Sequence, residues 1–144
     1  MIKNEQQLKV TKSQMNNLQD SIKICHTQKN DMDEDMFNIM ISGIKSQIDS
    51  LKKEINEYEE LKNTKKTIII YDLDEFPEAL IKARINKNLT QEQLAKHVKL
   101  KTQQIQRYEQ NNYRGISIQR AIQIGKMLGI RLGDVLPDKK VKTL

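Results

Sequence analysis

A chain of 144 residues, 37% hydrophobic with only six aromatic side chains, makes one ordinary domain or two small ones and cannot fill a large core. Five Gly and two Pro leave little turn material for an all-β design, while abundant Lys, Gln, Glu, Leu and Ile favour helices, so a nearly all-α protein is expected. The net charge of +6 divides unevenly: residues 1–79 hold eleven Lys/Arg against fifteen Asp/Glu, a net −4, and residues 80–144 hold fourteen against four, a net +10. A compact basic half suits a polyanion, and a mildly acidic half suits some other task.

In chain order, Leu8, Thr11, Met15, Leu18, Ile22 and Cys25 recur at alternating spacings of three and four, as do Phe37, Ile41, Ile44, Ile48, Leu51, Ile55 and Tyr58. Such heptad seams predict two amphipathic helices, over 5–27 and 33–61. The polar link Gln28-Lys29-Asn30-Asp31 between them predicts an antiparallel hairpin, coiled-coil-like in its seam. Thr67-Ile68-Ile69-Ile70-Tyr71 is a β-branched run too short for a helix and reads as a short strand. A lone strand needs a partner, and a second copy of the chain would supply one.

From Asp74 onward short helices follow with legible punctuation. Pro77 suits the first turn of a helix ending at Asn86. Thr90 caps the next, with Gln93 completing a capping box, and that helix ends near Val98. A third covers 102–110, a fourth begins after Ser117 and stops near Gly129, and a short last turn precedes Pro137.

The stretch 89–109 resembles the phage-repressor-like (Xre-type) helix-turn-helix family. The likeness is carried by Thr90-Gln91, Leu94-Ala95, Ile105 and Arg107-Tyr108-Glu109, and by the later Ala121 and Leu128-Gly129-Ile130. It spans about 60 residues and implies a five-helix repressor-like domain that binds an operator in double-stranded DNA. Small Ala95 permits a close helix crossing, and Leu94, Val98, Leu100, Ile105 and Tyr108 are placed to fill it. Lys99 stands where the family often has Gly in a left-handed turn.

By this resemblance Lys101, Thr102, Gln103 and Arg107 face bases, and Gln91 meets phosphate at a helix start. The chemistry agrees, since Gln bonds adenine and Arg bonds guanine through paired contacts. Asn111, Tyr113 and Arg114, in the loop after the third helix, carry donors suited to phosphate. Arg84 and Glu109 match a structural salt bridge.

Enzyme, metal and cofactor readings find no support in the residues. Asp31, Asp33 and Asp35 begin like a calcium loop, but Met36 takes the Gly place and Ser42 the closing Glu place. Cys25 and His26 are adjacent without any activating set, and a single Cys excludes an internal disulfide framework. The opening MIKNEQQLKV lacks an apolar signal core, and no run nears about 18 apolar residues, so a cytoplasmic protein without membrane contact is expected.

The expected domains are a helical hairpin over 1–65 for dimerisation or partner binding and a strand and linker over 66–75. The DNA-binding domain covers 76–137, and a basic tail 138–144. The expected function is a transcriptional regulator acting as a homodimeric repressor. The alternative is an antitoxin of the HigA type, neutralising a toxin through residues 1–65 and autoregulating its operon.

Overall fold

The computed structural model describes residues 1–29 and 32–133 and is built mostly of α-helices. It divides into two compact units, residues 1–60 and 61–144.

The first unit is a helical pair. α1 (Glu5–Thr27) starts at Asn4, whose side chain accepts from the Gln7 N–H, and α2 (Glu34–Asn63) opens with Glu34 and Asp35 in its first turn. Acidic groups there complement the positive end of the helix dipole. Cross-contacts fix the pair as antiparallel: Tyr58 Oη donates to Glu5 at 3.0 Å and Lys12 pairs with Glu59 at 2.5 Å at one end, while His26 meets the Phe37 ring edge at the other. Seam burial is uneven. Leu8, Phe37, Ile41, Ile55 and Tyr58 are buried, whereas Met15, Leu18, Ile22, Ile44, Ile48 and Leu51 are only half-buried. Two helices alone cannot enclose a seam from all sides.

The second unit opens with the last turn of α2 and a linker. β1 (Ile69–Ile70) is shorter than the five-residue run around it and is followed by a 3-10 turn, Leu73–Glu75. Among the described residues four helices follow: α3 (Phe76–Asn86), α4 (Gln91–His97), α5 (Thr102–Gln110) and α6 (Ile118–Leu128). Pro77 lies in the first turn of α3, and Ser117 caps α6 by accepting from the Arg120 N–H. Gly129 ends α6 at φ +71°, the left-handed conformation glycine adopts without steric cost. The core is formed by Leu80, Ile81, Leu94, Ile105 and Ile124, all essentially inaccessible to solvent. Val98 joins them, while Leu100 and Tyr108 are half-buried.

The strand pairing departs from the sequence-based expectation. β1 pairs not with a second copy but with β2 (Arg131–Leu132) of the same chain, in parallel, with Ile69 opposite Arg131 and Ile70 opposite Leu132. The Arg131 and Gly133 N–H groups donate to Ile68 O and Ile70 O at 3.0 and 2.8 Å. The turn at Gly129, closed by Ile130 N–H on Gly125 O, returns the chain alongside β1. This satisfies backbone groups that the sequence left without a partner. The short turn expected before Pro137 and the basic tail lie outside the described residues.

Candidate nucleic-acid interface

The helix pair α4 and α5 is set by local chemistry at each junction. Thr90 Oγ1 accepts from the Gln93 N–H at 3.1 Å while Gln93 Oε1 accepts from the Thr90 N–H at 2.8 Å, a closed capping box. Val98 caps the C-terminus of α4, and Lys99 takes φ +55°, the left-handed turn conformation that the helix-turn-helix crossing requires. The Leu100 N–H then donates to Ala95 O at 2.8 Å, and the chain turns into α5. Ala95, 1% exposed, lets the two helices meet closely. At the entry to α5, Gln104 Oε1 accepts from the Lys101 N–H at 3.2 Å.

A buried polar network holds α5 in place. Arg84 Nε and Nη2 donate to Glu109 Oε1 and Oε2 at 2.5 and 2.7 Å, and Nη1 donates to Leu89 O at 2.8 Å. Gln91 Nε2 adds a bond to Glu109 Oε2 at 2.8 Å. One carboxylate therefore joins α3, the start of α4 and the end of α5. A paired guanidinium and carboxylate contribute little net stability once desolvation is counted, but their planar fork fixes orientation.

The face that α5 turns outward carries Lys101, Gln103, Gln104, Gln106 and Arg107, all exposed, with Thr102 half-buried at its first position. Gln103 and Arg107 are four apart and share that face. Only two acidic residues occur in 80–133. Glu109 is buried, and Glu92 pairs with Lys96 at 2.8 Å, whose ammonium holds the carboxyl below its usual range. Within α5 itself the outward face thus carries no carboxylate. Asn111 and Arg114, just beyond it, are exposed as well.

Of the expected phosphate contacts, Tyr113 is turned away and Gln91 keeps part of its donors. Tyr113 is 4% exposed: Asn112 and Tyr113 take φ +49° and +56°, and the ring stacks on Tyr108 with centroids 5.9 Å apart. Its hydroxyl has no hydrogen-bond partner among the described residues, and burial raises its pKa. A phenol turned into the core offers nothing to phosphate. Gln91 is half-buried with its side-chain amide already bonded to Glu109, so its second amide hydrogen and its backbone N–H are what remain for phosphate.

Sequence reasoning missed Asn86. This residue is 7% exposed, donates to Leu61 O at 3.0 Å and to Thr64 O, and accepts from the Lys66 N–H at 3.4 Å. Asn88 Nδ2 adds a bond to Lys62 O at 3.3 Å. Together they satisfy carbonyls left open where α2 ends. The one available signal was a polar residue directly after the buried run Ala83-Arg84-Ile85.

Residues 80–135 match the protein-family model described as helix-turn-helix. Over these residues the basic unit is similar to helix-turn-helix domains. α4 and α5 lie within the matched segment as its two-helix core, and the likeness supports DNA binding of the Xre type by this half of the chain. No curated protein and no solved structure matches the chain. Among the described residues, no helix is long and apolar enough to cross a membrane.

Proposed function

We propose that the protein is a sequence-specific DNA-binding transcriptional regulator, a dimeric repressor that places α5 of its helix-turn-helix domain in the major groove. The observation that carries this reading is the outward face of α5: it is polar and basic, free of exposed carboxylates, and held by the buried Arg84–Glu109–Gln91 network. Lys101, Thr102, Gln103 and Arg107 read bases. Arg114, Asn111 and the start of α4 at Gln91 hold phosphates and set the register. A single such domain reads few base pairs, so two copies on a two-fold operator supply the specificity.

Selection of bound sites from random duplexes tests the reading first and yields half-site spacing. On the selected operator, Gln103→Ala or Arg107→Ala costs about 1–3 kcal/mol and relaxes preference at one base pair per half-site. Arg114→Ala instead weakens every duplex alike and lowers the log–log salt slope by about 0.9 per contact. Equal loss on all duplexes for Gln103→Ala and Arg107→Ala would remove both from base readout. A folded chain with no salt-sensitive affinity for any duplex would remove the function.

A further inference from the structure

The helical pair carries a second stripe that its own seam does not use. On α1, Val10, Gln14, Asn17, Ser21 and Ile24 recur at spacings of four, three, four and three. On α2, Met36, Met40, Gly43, Gln47 and Ser50 do the same. These are heptad spacings offset from the seam, and neither stripe contains an ionisable side chain. The two stripes lie on the same side of the pair, because Gln14, Asn17 and Ser21 line one groove with Gln47 and Ser50. Nearer the open end, Val10 and Gln7 line a second groove with Glu54, whose carboxylate is occupied by the Met1 ammonium at 3.0 Å. Charge is gathered on the opposite side, where Lys12 bridges to Glu59.

The stripe is apolar at its ends and polar but uncharged in its middle. Val10, Ile24 and Met36 are 46%, 56% and 64% exposed, and beside the stripe Ile39 is 74% exposed. A side chain at Gly43 would meet nothing within 4 Å, so that stretch of α2 is open to close approach. Half-buried Leu18 and Leu51 form the floor of the groove. A helix with one charged side, one seam and one uncharged stripe has the pattern of a bundle helix that needs two neighbours and has one.

We infer that this uncharged face binds the same face of a second copy, so that two helical pairs close into an antiparallel four-helix bundle around a two-fold axis. The inference rests on the dimeric reading above and names its surface. Charge permits self-association here: residues 1–60 hold eight Lys against eleven Asp/Glu, and two copies repel least across this side, where the stripes are uncharged and Glu54 is neutralised by the Met1 ammonium. Area agrees. The 23 residues of α1 span about 35 Å, and two helices side by side are about 20 Å wide, giving roughly 700 Å² per copy against about 800 Å² for a standard interface.

The test introduces like charge on the face without disturbing the seam. Gln14 and Ser50 are exposed and tolerate Glu in a helix, and Gln14→Glu with Ser50→Glu places four carboxylates across the axis. By light scattering at micromolar concentration the wild type is expected near twice 16.9 kDa and the variant near 16.9 kDa, with dimer dissociation raised at least about 100-fold. A control pair on the charged side, Gln19→Glu with Asn56→Glu, leaves the dimer intact, and circular dichroism shows all three equally helical. A wild type and variant that are both dimeric overturn this surface and leave the dimeric reading standing. A monomeric wild type that binds its operator overturns both and leaves DNA binding. A wild type that is monomeric alone but forms a complex with another protein, lost in the Gln14/Ser50 variant, assigns the face to that partner and overturns the inference.

Discussion

Glu109 is the residue on which the basic unit turns, because one buried carboxylate meets Arg84 and Gln91 from two other elements. Glu109→Ala leaves a guanidinium buried without its counter-ion and is expected to cost about 3–5 kcal/mol in urea unfolding. Replacing both partners, as in Arg84→Met with Glu109→Leu, is expected to cost less than the sum of the single changes, since neither charge is then stranded. Tyr113 offers a complementary test through pH. Unfolded, its phenol ionises near pH ~10; folded, burial keeps it neutral to higher pH. Its contribution is fully present below pH ~10 and is lost as pH rises beyond that point. Tyr113→Phe is expected to match or exceed the wild type by up to about 1 kcal/mol at neutral pH, because it removes a buried hydroxyl that has no partner among the described residues. Above pH ~10 the variant's advantage should widen. A constant difference from neutral to alkaline pH would mean the hydroxyl titrates as freely when folded as when unfolded.

At the scale of elements, boundaries were the most legible feature of this chain. α1 and α5 begin and end where apolar period and capping residues place them, and the Thr90–Gln93 box and the Ser117 cap occupy their expected sites. Each signal spans only a few residues, so neighbours in sequence suffice to decide it. Thr90→Ala removes one arm of the box and is expected to lower stability by about 1 kcal/mol, measured as a drop in thermal midpoint. Lys99→Gly acts in the other direction. It relieves a left-handed residue bearing a Cβ and is expected to add up to about 1 kcal/mol, less the entropy that glycine gives the unfolded chain.

On the scale of the whole molecule, the helix-turn-helix unit is larger than its family likeness. The matched segment begins at residue 80, yet the compact unit begins at 61 and contains the Asn86 contacts and the β1–β2 pair. Ile70, 2% exposed, is buried on folding, which is worth about 1.5–3 kcal/mol before strand hydrogen bonds are counted. A fragment of residues 76–144 is therefore expected to melt at least about 6 °C below one of residues 61–144. Equal midpoints by calorimetry would show that the linker and strand contribute nothing to this unit.

The amino-acid sequence by itself determined the helical class, the element boundaries, the division of charge and the polar face of α5, all of which depend on composition or on residues within a turn of one another. Tertiary structure decided the rest. That β1 finds its partner 62 positions later, that Gln91 reaches Glu109 and that Asn86 holds Leu61 are contacts between distant residues whose own types are ordinary. Tyr113 makes the same point in reverse: its loop composition suits phosphate, but two left-handed residues turn its ring against Tyr108. Local pattern settles what a segment becomes, because its energetics are local. What that segment then touches depends on how the whole chain folds back on itself, and no short stretch encodes that path.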